Sequence, residues 1–287
     1  MRTIVLALAA ILFPCSMALA QAVKVGDQFE ITRDIESSSN TADGASTGSS
    51  TDRDTIVARV VATTPAGLEL EYDLPKSVTA DDRARQWQLP ARVLKPPKGP
   101  PQLLDRPELE ARVKAWLKWA GLTEAACGKS YFTWNVFRIE CDPRSVIEII
   151  EGFDLGPDDL VEGAPYQDSK ALGPAPVKRT VASSDGAVFH VEMAVDPDAV
   201  RRDLAEADVV AGEILRKPVT LTDALRARSG EDISGTIDIT FETDAAGHVR
   251  RRIKVTTLKN MKGFNGQLET QTSTETLERR MISDPKG

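Results

Sequence analysis

The sequence predicts an α+β protein: antiparallel β-meanders at both ends of the mature chain, packed helices at about 105–120 and 198–216, and a disulfide-closed hairpin between. Three observations predict it. Apolar residues alternate with polar ones at period two near both ends. Two windows carry apolar residues at helical spacing behind an Asp and an early Pro. Two cysteines remain once a secretion signal is removed.

The signal comes first. Arg2 supplies the positive start, Ile4 to Phe13 an apolar run, and Ala18-Leu19-Ala20 the small-x-small site, so residues 1–20 read as a signal peptide cleaved at Ala20–Gln21. The run stops at Pro14, short of the roughly 20 apolar residues that span a bilayer, and no later stretch supplies a transmembrane segment. A lipoprotein anchored at Cys15 is disfavoured because Phe13 and Pro14 do not fit the motif before the lipidated cysteine. The expected location is periplasmic or extracellular. Cleavage removes one of 36 basic residues, Arg2, and leaves 35 against 43 acidic ones, a balance of −8. An acidic chain lacks the clustered positive surface a nucleic-acid partner requires.

Val23 to Ile35 alternates as a half-buried strand, with Val25, Phe29, Ile31 and Ile35 on one side. Ser37 to Thr51 is Ser, Thr, Gly, Asn and Asp with nothing to bury, which predicts a mobile loop. Thr55–Thr63 and Leu68–Leu74 follow as strands around Pro65-Ala66-Gly67.

Pro90 to Pro107 reads as a stiff, extended linker. Asp105 and Pro107 then open a helix whose Leu109, Val113, Trp116, Leu117 and Ala120 share a face, with Gly121 to end it. All four tryptophans lie in this central part, near Tyr131, Phe132, Phe137 and Phe153, and predict an aromatic core. With Cys15 gone, Cys127 and Cys141 are the only thiols in an oxidising compartment and should pair. Fourteen residues of straight strand would hold them roughly 45 Å apart, whereas a disulfide needs about 5.5 Å between Cα atoms. The chain must therefore reverse between them, with Trp134-Asn135 as the expected turn.

Residues 21–160 thus form an N-terminal unit, 161–180 a Pro- and Gly-rich linker, and 181–287 a C-terminal α+β unit. Within the second, Ala187–Val195 is a strand and Asp196-Pro197 opens a helix with Val200, Leu204, Ala207, Ala211 and Ile214 as its stripe. A shorter helix runs over Thr222–Arg228. Ile237, Ile239 and Phe241 alternate before the turn Asp244-Ala245-Ala246-Gly247. The next strand puts His248, Arg250, Arg252 and Lys254 on one side, and pairing Glu242 with His248 and Asp238 with Arg252 makes that side a wet, charged face. A last strand, Gln267–Leu277, follows the turn at Lys262-Gly263-Phe264-Asn265-Gly266.

Candidate chemistry is sparse. Gly44-Ala45-Ser46-Thr47-Gly48 matches the nucleophile-elbow pattern of serine hydrolases but lacks the buried strand before it and the helix after it. His190 reads as a buried strand residue and His248 as a solvent-facing one, and neither sits at metal-ligand spacing. The pairs Asp81-Asp82 and Asp158-Asp159 read as turns or caps. No residue set for catalysis, a metal or a cofactor emerges. The stripe His248, Arg250, Arg252, Lys254 is the one candidate for an anionic ligand, against the plainer reading of a ladder neutralised by cross-strand acids. Three functional readings follow: a non-catalytic binding or envelope-associated protein, a carrier of an apolar ligand such as a lipid in a curved-sheet cavity, and a hydrolase assembled from distant residues. The expected partner under the first two is an envelope protein or a lipid.

Overall fold

The structure is a computed structural model that describes residues 23–41, 43–44, 46–132, 136–157, 160–262 and 267–282. The signal segment with Cys15 and the Ala20–Gln21 bond, the Trp134-Asn135 turn, Asp158-Asp159 and the Gly263–Gly266 turn residues lie outside the described residues.

The N-terminal meander comprises β1 (Gln28–Thr41), β2 (Thr47–Thr64), β3 (Gly67–Asp73), the short helix α1 (Ala80–Arg85), β4 (Ala91–Lys95) and β5 (Gln102–Leu103). The middle of the chain supplies α2 (Arg106–Trp119), β6 (Ser130–Phe132), β7 (Val136–Arg138), α3 (Ser145–Glu151), β8 (Pro165–Tyr166) and β9 (Ala175–Pro176). The C-terminal part contains β10 (Lys178–Ser183), β11 (Gly186–Ala194), α4 (Pro197–Ile214), α5 (Leu221–Arg228), β12 (Ser234–Thr243), β13 (Val249–Lys262) and β14 (Leu268–Met281).

Ten of these strands make one antiparallel sheet in the order β10-β11-β12-β13-β14-β1-β2-β3-β4-β5. Each neighbour pair but one is consecutive in the chain, β11 and β12 being joined through α4 and α5. The exception is β14 with β1, which pair over thirteen positions from Phe29↔Met281 to Thr41↔Glu269 and bring the two ends of the described chain together. Both predicted meanders therefore lie in the same sheet. Residues 161–180 supply the β8–β9 pair, and Ala171 and Val177 within them are buried.

One face of the sheet is apolar because alternate residues point the same way. Ile31, Ile56, Ala58, Val60, Tyr72 and Val93 mark it on one half, and Val191, Met193, Ile237, Ile239 and Phe241 on the other. Leu109, Val113 and Leu117 of α2, Val146 and Ile150 of α3, and Phe153 and Leu155 beyond it join the same buried cluster. Each fully buried Leu or Ile of this layer contributes about 1.5–3 kcal/mol. The opposite face carries charge ladders, as in Arg59–Glu71 at 2.7 Å and Arg92–Glu69 at 3.0 Å across β2, β3 and β4.

Several expectations need correction. Ser37–Thr51 is a hairpin, with Glu36↔Thr51 through Asn40↔Thr47 paired, because β14 offers a partner on the far side of β1 and supplies ladder bonds that polar side chains alone do not predict. The nucleophile-elbow match falls at the hairpin's turn, closed by Thr41 and Ser46, which exchange hydrogen bonds. Val23 to Asp27 precedes the strand as a turn, with Gly26 at φ 94° and the Asp27 carboxylate accepting from the Lys24 N–H. Pro90–Pro107 is no free linker, since it contains β4 and β5. Asp105 stands at the N-cap of α2 as expected, but its carboxylate makes no cap hydrogen bond and instead accepts the Arg92 N–H, tying β4 to the start of the helix. The aromatic core is partial: Trp87 and Phe153 are buried, but Trp119, Tyr131, Phe132 and Phe137 are exposed.

Cys127 and Cys141 are bonded, with Cα atoms 5.6 Å apart. Between them the chain reverses, as the geometry demanded, and β6 pairs with β7 from Ser130↔Arg138 to Phe132↔Val136.

Candidate functional site

Three hollows lie along the apolar face, and their linings separate them. The first, about 330 Å³, is mixed: it lies against α4 and sets Lys170, Asp203, Lys254 and Glu275 among Val195, Val200 and Leu204. Its charges are matched, Lys170 with Asp203 and Lys254 with Asp168. A second, about 470 Å³, mixes Leu74, Leu89 and Ile149 with Arg33, Asp54, Glu140 and Glu148. Arg33 there pairs with Asp54 at 3.1 Å and lies over the Phe153 ring at 5.2 Å.

The third, about 440 Å³, has an apolar floor. Phe29 and Ile31 of β1, Ala58 and Val60 of β2, Leu68, Leu70 and Tyr72 of β3 and Val93 of β4 form it. Register explains the grouping. Phe29↔Ala58, Ala58↔Tyr72, Val60↔Leu70 and Leu70↔Val93 are cross-strand partners, so their side chains emerge side by side. Ile150, Phe153 and Leu155, from α3 and the turn after it, form the roof. The volume falls within the ordinary range of small-ligand cavities, about 300–1,000 Å³. Phe29, Leu68 and Leu70 are only half-buried, so apolar surface remains uncovered.

Polar groups are few and sit among this lining. Lys95 meets Asp154 at 3.7 Å, and His248 faces Asp244 at 3.6 Å. Arg279 of β14 lies opposite Ile31 and therefore on the apolar face, with its guanidinium carbon 5.4 Å from the Phe29 ring centroid. The Tyr72 phenol is pushed well above its ordinary value, first by burial and then by the negative charge of Asp154. It stays protonated and can donate a hydrogen bond. No Ser, Thr or Cys is among the lining residues.

The predicted cationic stripe is divided. His248 lines this hollow, while Arg250 pairs with Glu242 at 3.1 Å. Arg252 pairs with Glu275 at 2.5 Å and donates to the Asp154 carbonyl at 2.8 Å, and Lys254 pairs with Asp168 at 2.5 Å. The expected hairpin register is also corrected: Glu242 lies opposite Arg251, and Phe241 opposite Arg252. A bulge between Glu242 and Thr243 shifts the pairing by an odd number of residues, which turns Arg252 and Lys254 to the core side.

His190 is not buried; it lies half-exposed on the far face, 3.9 Å from Asp238. With Glu192 these form a group whose ligand atoms lie within 4.8 Å of one another, the arrangement among the described residues best able to hold a metal ion. Sequence spacing missed it because Asp238 comes from the neighbouring strand, opposite Glu192. Arg279 was missed for the same kind of reason, since only the pairing of β14 with β1 places it over Phe29.

No protein-family model matches the chain, and no curated protein matches it. Among solved structures it is similar to one of lipid–protein interactions in lipovitellin, with TM-score 0.41 and 9% identity over 92% of this chain and 26% of that one. This chain thus spans about a quarter of that protein's length. It is also similar to an outer membrane channel from Pseudomonas putida F1, with TM-score 0.24 and 10% identity over 92% of this chain and 98% of the other. TM-scores this low do not establish a shared fold. Among the described residues no helix is long and apolar enough to cross a membrane.

Proposed function

We propose that this is a non-catalytic binding protein that carries an apolar ligand, a lipid or other alkyl-chain compound, in the hollow beneath α3. The observation that carries the reading is the apolar floor from Phe29 to Val93, roofed by Phe153 and Leu155 yet left unfilled over about 440 Å³. Protein interiors are close-packed, so an apolar gap of this size is a standing cost that an apolar occupant removes. Binding is favoured over hydrolysis because His248 faces Asp244 with no Ser, Thr or Cys among the described lining residues and with the Tyr72 phenol held protonated. The Cys127–Cys141 bond supports the reading of an exported protein, acting in the periplasm or outside the cell after cleavage at Ala20–Gln21. Its partner there is a lipid or an envelope protein that delivers one.

Native mass spectrometry of the protein purified without detergent from its own envelope tests this. A bound mass of a few hundred daltons, lost on organic extraction, is expected. A bare polypeptide mass, with no alkyl compound bound on adding one back, overturns it.

A further inference from the structure

We infer that the hollow selects a single-chain amphiphile with an anionic head, a carboxylate above all, and that Arg279 receives that head; this deepens the apolar-ligand reading and rests on it. Four other cations along this face have acids: Lys95 has Asp154, Arg33 has Asp54, Arg252 has Glu275 and Lys254 has Asp168, while Arg179, over the Phe189 ring, is exposed on the edge strand β10 and does not line the hollow. Among the described residues no carboxylate lies within ion-pairing distance of Arg279, although it lines an apolar hollow where a charge is expensive to desolvate. Its guanidinium carbon lies over the Phe29 ring at 5.4 Å, and its N–H groups donate to no described residue, so they are available to a ligand.

A guanidinium edge matches a carboxylate with two parallel hydrogen bonds, and such a pair is strongest where water is excluded. Of the remaining lining groups none offers a second free cation, and the neutral Tyr72 phenol can add a hydrogen bond but no counter-charge. His248 is engaged by Asp244, and Glu151 is exposed at the end of α3. A neutral apolar ligand would leave Arg279 unmatched. A fatty carboxylate fills the hollow with its chain and supplies the missing counter-charge.

The test compares laurate with 1-dodecanol, equal in chain length and different in head, by displacement of an uncharged fluorescent apolar probe from wild type and Arg279→Met. The wild-type protein should bind laurate at least about tenfold more tightly than the alcohol, the scale of one charge-assisted pair. Arg279→Met should lose that preference, the laurate-to-dodecanol affinity ratio falling to about one, while saturable displacement of the probe by 1-dodecanol reports that the hollow is folded. Equal affinities for the two ligands in wild type, or a preference for laurate that survives in Arg279→Met, overturn the head-group assignment alone. Failure of both ligands to displace the probe from wild type overturns the hollow as a ligand site, and the assignment with it.

Discussion

Arg279 and Phe29 stack across the junction of β14 and β1, with 5.4 Å between guanidinium carbon and ring centroid. They stand 250 residues apart in the chain and meet only because its two ends pair. That contact places a cation on an otherwise apolar floor and gives the hollow one polar end.

Tyr72 makes stability depend on alkaline pH. Burial and then Asp154 raise its phenol above the ordinary 10.0. The folded protein therefore keeps a proton that the unfolded chain releases, so this stabilisation is complete below about pH 10 and falls as pH rises further. Urea unfolding at pH 9 and pH 11 measures it. Wild type should lose stability at up to about 1.4 kcal/mol per pH unit from this group, and Tyr72→Phe should lose correspondingly less. Equal losses in the two proteins would refute the assignment.

How much of this was legible in the sequence depends on the range of the interactions. Period-two segments such as Leu68–Leu74 and Ile237–Phe241 declared strands because one face was buried, and Asp196-Pro197 declared α4 because capping is local; the Asp196 carboxylate accepts the Asp198 N–H. The Ser- and Thr-rich hairpin was illegible because its stability comes from pairing on both sides of β1, which composition does not encode. Arg252 and Lys254 were assigned to the wrong face because a single bulge flips parity, and nothing in Glu242-Thr243 announces one. The cysteine pair was legible, and through it the chain reversal between β6 and β7. The hollow itself was foreseen only as a class of site, since its floor is drawn from four strands.

Arg228 joins α5 to α4. Its guanidinium donates twice to Asp208, at 2.6 and 2.9 Å, and also reaches Glu231 at 3.1 Å. Asp208 first, together with Glu231, holds the guanidinium above its ordinary value. Arg228→Met removes these charge-assisted bonds and leaves Glu231 largely buried without its partner. It should cost about 2 kcal/mol in chemical denaturation. A loss within experimental error would show that the α4–α5 contact does not depend on the network.

The disulfide links cysteines fourteen positions apart, and no described residue between them lines the hollow. Cys127→Ser with Cys141→Ser should lower stability by about 3 kcal/mol, as the unfolded chain regains the freedom of the loop between them. Binding of an apolar probe to the folded fraction should be unaffected. A fall in probe affinity at a temperature where the variant is fully folded would tie the hairpin to the site, against this account.

The most direct test of the hollow as a ligand site is to fill it. Ala58 is a small residue between Phe29 and Tyr72 on the floor, so Ala58→Phe projects a ring into the space, and Leu70→Trp does so from the next strand. Titration with an uncharged fluorescent apolar probe should show one saturable site in wild type, weakened about tenfold or more in either variant at unchanged secondary structure. Wild-type affinity and stoichiometry in both folded variants would mean that the probe binds elsewhere, and would contradict the account.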